Sequence, residues 1–263
     1  MTIYMQQAAR NVREFPVSEA ERKARVELAA CYRVFDMLGW TEMIFNHITL
    51  RVPGPAVAGS ESKLFLINPF GLHYREVTAS SLVLIDIDGN PVRETQWPIN
   101  RAGFVIHSAI HGALPDAHCV MHTHTTTGCA VASLKDGLSP HNFYGAMLHG
   151  QVAYHEFEGI TVEPGEKERL LGSIGTKKAV ILRNHGLLAW GPNVSEAFLM
   201  LWTLQRACDV QIAASAAGAI NPIRPEVFPQ TVREGGPAEK RTCEDVFAAM
   251  VRLVDAKDPS YRQ

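Results

Sequence analysis

The chain lacks several features that would assign it to a class at once. It has no run of about 18 apolar residues, so nothing in it reads as a membrane span. The opening residues Met1-Thr2-Ile3-Tyr4-Met5-Gln6-Gln7 carry no apolar core of the kind a secretory leader needs. Charge of one sign is not in excess: the net charge is −2 with histidine neutral, which removes the electrostatic case for nucleic acid or an anionic membrane. There are five cysteines, at 31, 119, 129, 208 and 243. Their number is odd, they are scattered, and no C-x-x-C occurs, which argues against a disulfide framework and a cysteine-based zinc site and suits a reducing, cytoplasmic setting. No internal repeat is visible.

What is present suits one large globular domain. Apolar residues make up 46 % of the 263 and charged residues 20 %, enough to bury a sizeable core. Eleven histidines is a generous number, and several sit in telling places.

The stretch His118-Cys119-Val120-Met121-His122-Thr123-His124 organises the rest. Its apolar centre reads as a buried strand and Thr125-Thr126-Thr127-Gly128 as a turn into a helix. Alternate residues of a strand share a face, so His122 and His124 lie roughly 6.5–7 Å apart on one side. Two imidazoles so placed can converge on one ion about 2 Å from each nitrogen. A His-x-His pair on an ordinary polar face looks the same in sequence.

Around this stretch the elements read in order. Residues 1–17 form a polar arm. Ser18 to Glu21 is a capping box opening a helix that carries Leu28, Cys31, Phe35 and Leu38 on one face and stops at Gly39. Phe45 to Val52 alternates strictly, with Ile48, Leu50 and Val52 inward and His47, Thr49 and Arg51 outward. Leu64 to Ile67 is a strand, Asn68-Pro69-Phe70-Gly71 a turn, and Leu82 to Ile87 with Asp88-Gly89 a hairpin. A helix spans Ala102 to Leu114, with His107 and His111 four apart on one face, a pair that can chelate or simply pack. A short helix reaches Leu134, residues 140–144 are irregular, and Val152-Ala153-Tyr154 is a strand. Gly165 to Ile174 is helical. Ala179 to Leu182 and Leu187 to Trp190 are strands joined through Arg183-Asn184-His185-Gly186. His185 therefore sits at a tight bend, as a hydrogen-bonded core residue or as a ligand. Asn193 caps a long helix to Gly218. Residues 219–240 read as an extended, proline-rich tail and the last helix begins at Thr242, docking on the body or on a neighbouring subunit. The expected division is an arm over 1–17, a main domain over 18–218, and an extension over 219–263.

Taken together, Asn46-His47-Ile48-Thr49-Leu50-Arg51, Asn68-Pro69-Phe70-Gly71-Leu72, Pro115-Asp116-Ala117 leading to His122-Thr123-His124, and Arg183-Asn184-His185-Gly186-Leu187 resemble the class II aldolase/adducin family. Phe70-Gly71-Leu72, Val77 to Leu82, Ala102-Gly103-Phe104 and Val152 to His155 resemble the adducin-head branch. The resemblance implies an α/β fold, a three-layer α/β/α sandwich with a mixed, mostly antiparallel central sheet, assembled as a homotetramer. It implies a divalent metal, zinc by preference with Mn2+ or Fe2+ as alternatives, held by His122, His124 and His185. Three ligands with open positions is the arrangement of a catalytic ion.

The sequence also departs from the family's pattern. Where the sugar-phosphate aldolases carry a glutamate base this chain has Gly103. Arg101 and Ala102 replace two serines of the phosphate site, and Phe70 replaces a threonine, while Asn46 and Gly71 remain. These departures imply a substrate site of Asn46, Phe70, Gly71 and Arg101 suited to a planar or carboxylated molecule. Tyr144 or His107 would move a proton, Tyr144 being near the place where aldolases supply a tyrosine from the adjacent subunit. The expected activity is a metal-dependent carbon–carbon lyase, aldolase- or decarboxylase-like, on a small hydroxy or keto acid. The rivals are an adducin-like interaction module and a non-haem iron oxygenase. No membrane or nucleic-acid partner is expected, and no actin binding, because the charged adducin tail has no counterpart here.

Overall fold

The computed structural model describes residues 17–52, 63–159, 165–235 and 239–263, and the side chains of 101 and 102 lie outside it. A seven-stranded sheet forms the middle layer, in the order β3-β2-β1-β4-β7-β6-β5. The strands are β1 (His47–Val52), β2 (Leu64–Ile67), β3 (Val83–Ile85), β4 (Cys119–Thr123), β5 (Val152–His155), β6 (Ala179–Leu182) and β7 (Gly186–Gly191). Only β5 and β6 pair in parallel; every other neighbour pair is antiparallel. The sheet is therefore mixed and mostly antiparallel, with helices on both faces, as the resemblance implied.

On one face lie α1 (Glu19–Leu38), α6 (Val194–Ala217) and α8 (Lys240–Lys257). Leu28, Phe35, Ile48, Leu50, Met121, Leu187, Phe198 and Phe247 share that core. The opposite face is covered by α2 (Arg101–Ala113) and α5 (Glu166–Ile174), over Val120, Val180, Leu188 and Trp190. The alternation read in β1 holds, but its second face is not outward. His47 is 3 % exposed and Thr49 fully covered, because α2 packs there. Period 2 distinguishes two faces of a strand; what covers each is decided by elements far away in sequence.

Local signals are realised with three differences. Ser18 caps α1 by accepting from the Glu21 N–H at 3.1 Å, and Gly39 ends it at φ +72°. Glu21 does not complete the capping box, because its buried carboxylate pairs with Arg25 and Arg93. Part of the stretch expected to be irregular is helical, α4 (Phe143–Met147), with Asn142 accepting from the Gly145 N–H at 2.8 Å. Residues 219–240 are not wholly extended, since α7 (Phe228–Gly235) forms within them and α8 starts two residues early. Phe228 stacks on His149 with ring centroids 4.4 Å apart, a long-range contact that no local pattern announces. The arm falls almost entirely in 1–16, outside the described residues.

Candidate metal centre

His122 lies on β4, paired across the sheet with His47 of β1 and Leu188 of β7. His124 follows where the chain leaves that strand, and α3 (Thr126–Ala132) begins directly after it. His185 stands on the turn between β6 and β7. Asn184 makes that turn at φ +55°, and the His185 N–H closes it on the Leu182 carbonyl at 3.1 Å. Next comes Gly186, where close approach leaves no room for a side chain. A Cβ there would lie 2.4 Å from the Thr123 carbonyl oxygen and 3.0 Å from the His124 ring. Gly186→Ala should therefore push the β7 turn off β4 and weaken metal uptake more than tenfold, as measured by chelator competition; unchanged affinity would show that the turn can shift freely.

The three imidazoles converge. The His122 Nε2 lies 2.6 Å from the His124 Nε2 and 3.3 Å from the His185 Nε2. The three groups form a set whose ligand atoms all fall within 4.8 Å of one another. The His122 Nδ1–H donates to the Leu187 carbonyl at 2.9 Å, which fixes the tautomer and leaves Nε2 as a bare lone pair aimed at its two neighbours. Burial, with the neighbouring imidazoles adding to it, holds the His122 imidazole well below its ordinary pKa. His124 is brought down to about 4 by burial and then by His185 and His47, and burial alone lowers His185. All three are thus neutral near pH 7, the state a metal requires. Lone pairs crowded so closely are reconciled by a shared cation, so the donor set fits the divalent ion that the resemblance implied. The exposed Phe157 stands edge-on to His185, centroids 6.3 Å apart, as an apolar wall beside it.

Behind the trio runs a buried file of polar groups that the sequence did not reveal. The His111 Nδ1–H donates to the Ala117 carbonyl at 2.7 Å, so the His111 Nε2 accepts from the Thr49 hydroxyl, also at 2.7 Å. The Thr49 oxygen then accepts from the His107 Nδ1–H at 2.7 Å, leaving the His107 Nε2 as an acceptor with no partner among the described residues. The His107 ring packs on His47 at 4.2 Å between centroids, and His47 lies 5.7 Å from His122. The shared face of His107 and His111 was legible. Their meeting with His47 and Thr49 requires knowing that α2 crosses β1.

The other expected site residues fall in three places. Asn46, Phe70, Gly71 and Arg101 gather near the start of α2. The Asn100 side chain caps that helix and donates to the Phe45 carbonyl at 3.2 Å, while the Phe70 N–H donates to the Pro98 carbonyl at 2.8 Å. Asn46 is buried with both amide atoms unpartnered among the described residues, Phe45 and Phe70 lie 6.4 Å apart, and Gly71 takes φ +107°. Arg101 is the first residue of α2, and its side chain is outside the described atoms. His107 is wholly buried in the file rather than turned to the trio. Tyr144, on α4, packs edge-on to Trp202 at 5.6 Å under the Arg206 guanidinium, and among the described residues its aromatic neighbours are Phe143 and Trp202, not the trio.

The family model for the Class II Aldolase and Adducin N-terminal domain matches residues 26–212. A putative aldolase class 2 protein of Caulobacter vibrioides is 46 % identical over 83 % of each chain. Alpha-adducin of Rattus norvegicus is 42 % identical over 90 % of this chain but only 34 % of its own length, so the likeness covers about a third of that protein. Among solved structures, an aldolase II superfamily protein from Pseudomonas syringae is 42 % identical with a TM-score of 0.87, covering 94 % of this chain and 98 % of its own. An L-fuculose 1-phosphate aldolase from Glaciozyma antarctica is 29 % identical with a TM-score of 0.79, covering 95 % and 97 %.

Proposed function

We propose, since the chain belongs to the class II aldolase and adducin N-terminal domain family, that it is a divalent-metal-dependent carbon–carbon lyase acting on a small hydroxy or keto acid. The observation that carries this is the convergence of three neutral imidazoles on one point, with the His122 tautomer set by the Leu187 carbonyl. His122, His124 and His185 would hold the ion, zinc by preference. Such an ion supplies Lewis-acid stabilisation of negative charge developing on a substrate oxygen when a carbon–carbon bond breaks.

The remaining roles fall to this chain's own residues. The Asn46 amide, unpaired among the described residues, offers a donor and an acceptor at the start of α2, and the Phe70 ring offers a flat apolar surface. Gly71 keeps the turn open there, and Arg101 would take a carboxylate in a bidentate grip. Position 103 carries no carboxylate, which favours decarboxylation, where the departing carboxylate leaves the bonding electrons behind and no base need start the reaction. Tyr144 would return the proton from a neighbouring copy in a homotetramer, because within its own chain it packs on Trp202. His107 would act only through His47, which its ring touches.

One observation favours a second reading. The likeness to alpha-adducin covers almost all of this chain, and a scaffold needs no base at position 103. The discriminating measurement is an NMR screen of hydroxy acids and hydroxy-ketones with zinc-, manganese- and iron-loaded protein. It would follow bond cleavage and entry of solvent deuterium. We expect turnover with at least one ion, and a loss of more than about 100-fold in His185→Ala, beyond what changes outside the ligand set cost. Full activity in that variant would remove the metal from the reaction. Oxygen uptake that depends on iron and substrate would replace the lyase by an oxygenase. No turnover, together with cosedimentation with filaments, would favour the scaffold. No described helix is long and apolar enough to cross a membrane.

A further inference from the structure

All three ligands are referenced to one short helix, α3. His124 runs into its N-cap, Thr125, whose hydroxyl accepts from the Gly128 N–H at 3.3 Å. The Cys129 Sγ–H donates to the His185 carbonyl at 3.0 Å, and the Asn184 N–H donates to the Ala132 carbonyl at 3.0 Å, so α3 also grips the turn bearing the third ligand. His122 is tied in through Leu187. The Leu187 carbonyl orients His122, and its side chain packs where a Cβ on Gly128 would meet it at 2.9 Å. Where α3 sits therefore sets the spacing among the three imidazoles.

Beyond its core packing, the start of α3 is tied to α6 by one buried amide, which bonds both Thr125 and Thr127. Gln205 is 3 % exposed. Its Oε1 accepts from the Thr125 hydroxyl at 2.5 Å, and its Nε2 donates to the Thr127 hydroxyl and to the Asp209 carboxylate, both at 2.7 Å. The Thr127 hydroxyl in turn donates to Asp209, which Arg206 flanks at 3.4 Å. Both N–H donors of the amide are used and its oxygen accepts from Thr125, and the carboxylate forces the NH2 group to its side, so only one orientation satisfies the network. A methyl-for-polar change takes the acceptor from the Thr125 hydroxyl and the amide donors from Thr127 and Asp209, and so loosens α3 on α6.

We propose that Gln205, which none of these bonds joins to the trio, is a positioning residue for the metal centre. Through Thr125 and Thr127 it seats α3 and so sets the spacing of His122, His124 and His185. The proposal rests on the metal reading above. Its test uses the metal alone: zinc affinity of the full chain by chelator competition, and the visible spectrum of the cobalt-loaded protein as a report of ligand geometry. Gln205→Leu should bind zinc about 10- to 100-fold more weakly, the range for groups that orient ligands from outside the set, and should shift the cobalt bands. Thr127→Val breaks the same latch at a half-buried position, keeps the test alive if Gln205→Leu does not fold, and should change both readouts in the same direction. Leu204→Ala, a neighbouring core truncation on α6, controls for general loosening: it should lower Tm yet leave zinc affinity within twofold.

Wild-type affinity and spectrum in Gln205→Leu, or in Thr127→Val where the first does not fold, would overturn the proposal. So would an equal loss in Leu204→Ala. A wild-type chain that takes up no zinc or cobalt would overturn the metal reading itself, a failure seen before any variant is made.

Discussion

Taking the metal-free protein from pH 7 to pH 5 should remove most of its stability, the loss setting in at about pH 6.5 and being steepest at about pH 5, midway between the unfolded and folded pKa values. The cause is a set of histidines buried without a carboxylate. His47, brought down to about 4, is shifted first by burial, with the backbone of Gly103 and Phe45 partly offsetting it. His111 falls to about 3 for the same first reason, and His107 lies well below the ordinary range through burial and then the neighbouring imidazoles. Above the unfolded value of about 6.5 these groups are neutral in both states and contribute nothing to the pH dependence. As pH falls through 6.5 the unfolded chain binds protons that the folded chain refuses, so stability drops. The loss from each group continues until the folded pKa is reached, near 4 for His47 and near 3 for His111.

At pH 5.5 each such group has cost about 1.4 kcal/mol, so the three together remove about 4 kcal/mol. A domain stable by only 5–15 kcal/mol feels that strongly. The trio adds to the slope, because its members are depressed in the same direction. Saturating zinc should move the transition to lower pH, since a bound ion competes with protons for those nitrogens. Thermal melts of the chelator-treated chain at half-unit pH steps would decide the matter. A Tm that stayed level between pH 7 and 5 would mean the buried file takes up protons at little cost, and the burial argument would be wrong.

The elements that local chemistry dictates were readable. The caps of α1 and α6, the alternation in β1 and the tight turn bearing His185 each depend on residues a few positions apart. The convergence of His122, His124 and His185 was foreseen only because the quoted motifs resemble a family, since residues 124 and 185 meet through the β4–β7 pairing. The buried file escaped because β1 and α2 are separated by β2 and β3, and only the crossing of α2 over β1 turns an outward face into a covered one. Likewise the Glu21 carboxylate, three residues after its cap, satisfied the local rule yet went to Arg93, 72 positions away, because a buried ion pair with two guanidinium groups is stronger than a second cap bond. The helix at 228–235 is held by contacts such as Phe228 on His149, which no periodicity encodes.

Gly103→Glu, the change that would place a carboxylate at the position where the resemblance implies an aldolase base, should cost the chain about 3 kcal/mol, the upper end for an overpacked core. A Cβ built on Gly103 lies 2.1 Å from the His47 Cε1, 2.5 Å from its Nδ1 and 2.6 Å from its Nε2. The ring cannot swing away cheaply, because His107 packs against it at 4.2 Å and His122 at 5.7 Å. Nor can the helix retreat easily, since the Gly103 N–H is held by the Asn100 side chain at 3.3 Å. His47 and a side chain at 103 therefore compete for one volume. Removing the ring should relieve the clash, so His47→Ala/Gly103→Glu should be more stable than the sum of its single changes predicts, by at least about 1.5 kcal/mol, within the range of coupling between contacting residues. For a chain of this size the single Gly103→Glu change should lower Tm by about 8 °C, with partial recovery in the double variant. Additive costs would show that His47 yields without strain, and that this ring does not exclude a side chain at 103. Coupled costs would mean that the imidazole of His47 occupies the space a side chain at 103 needs, so that placing a carboxylate there requires both positions to change together.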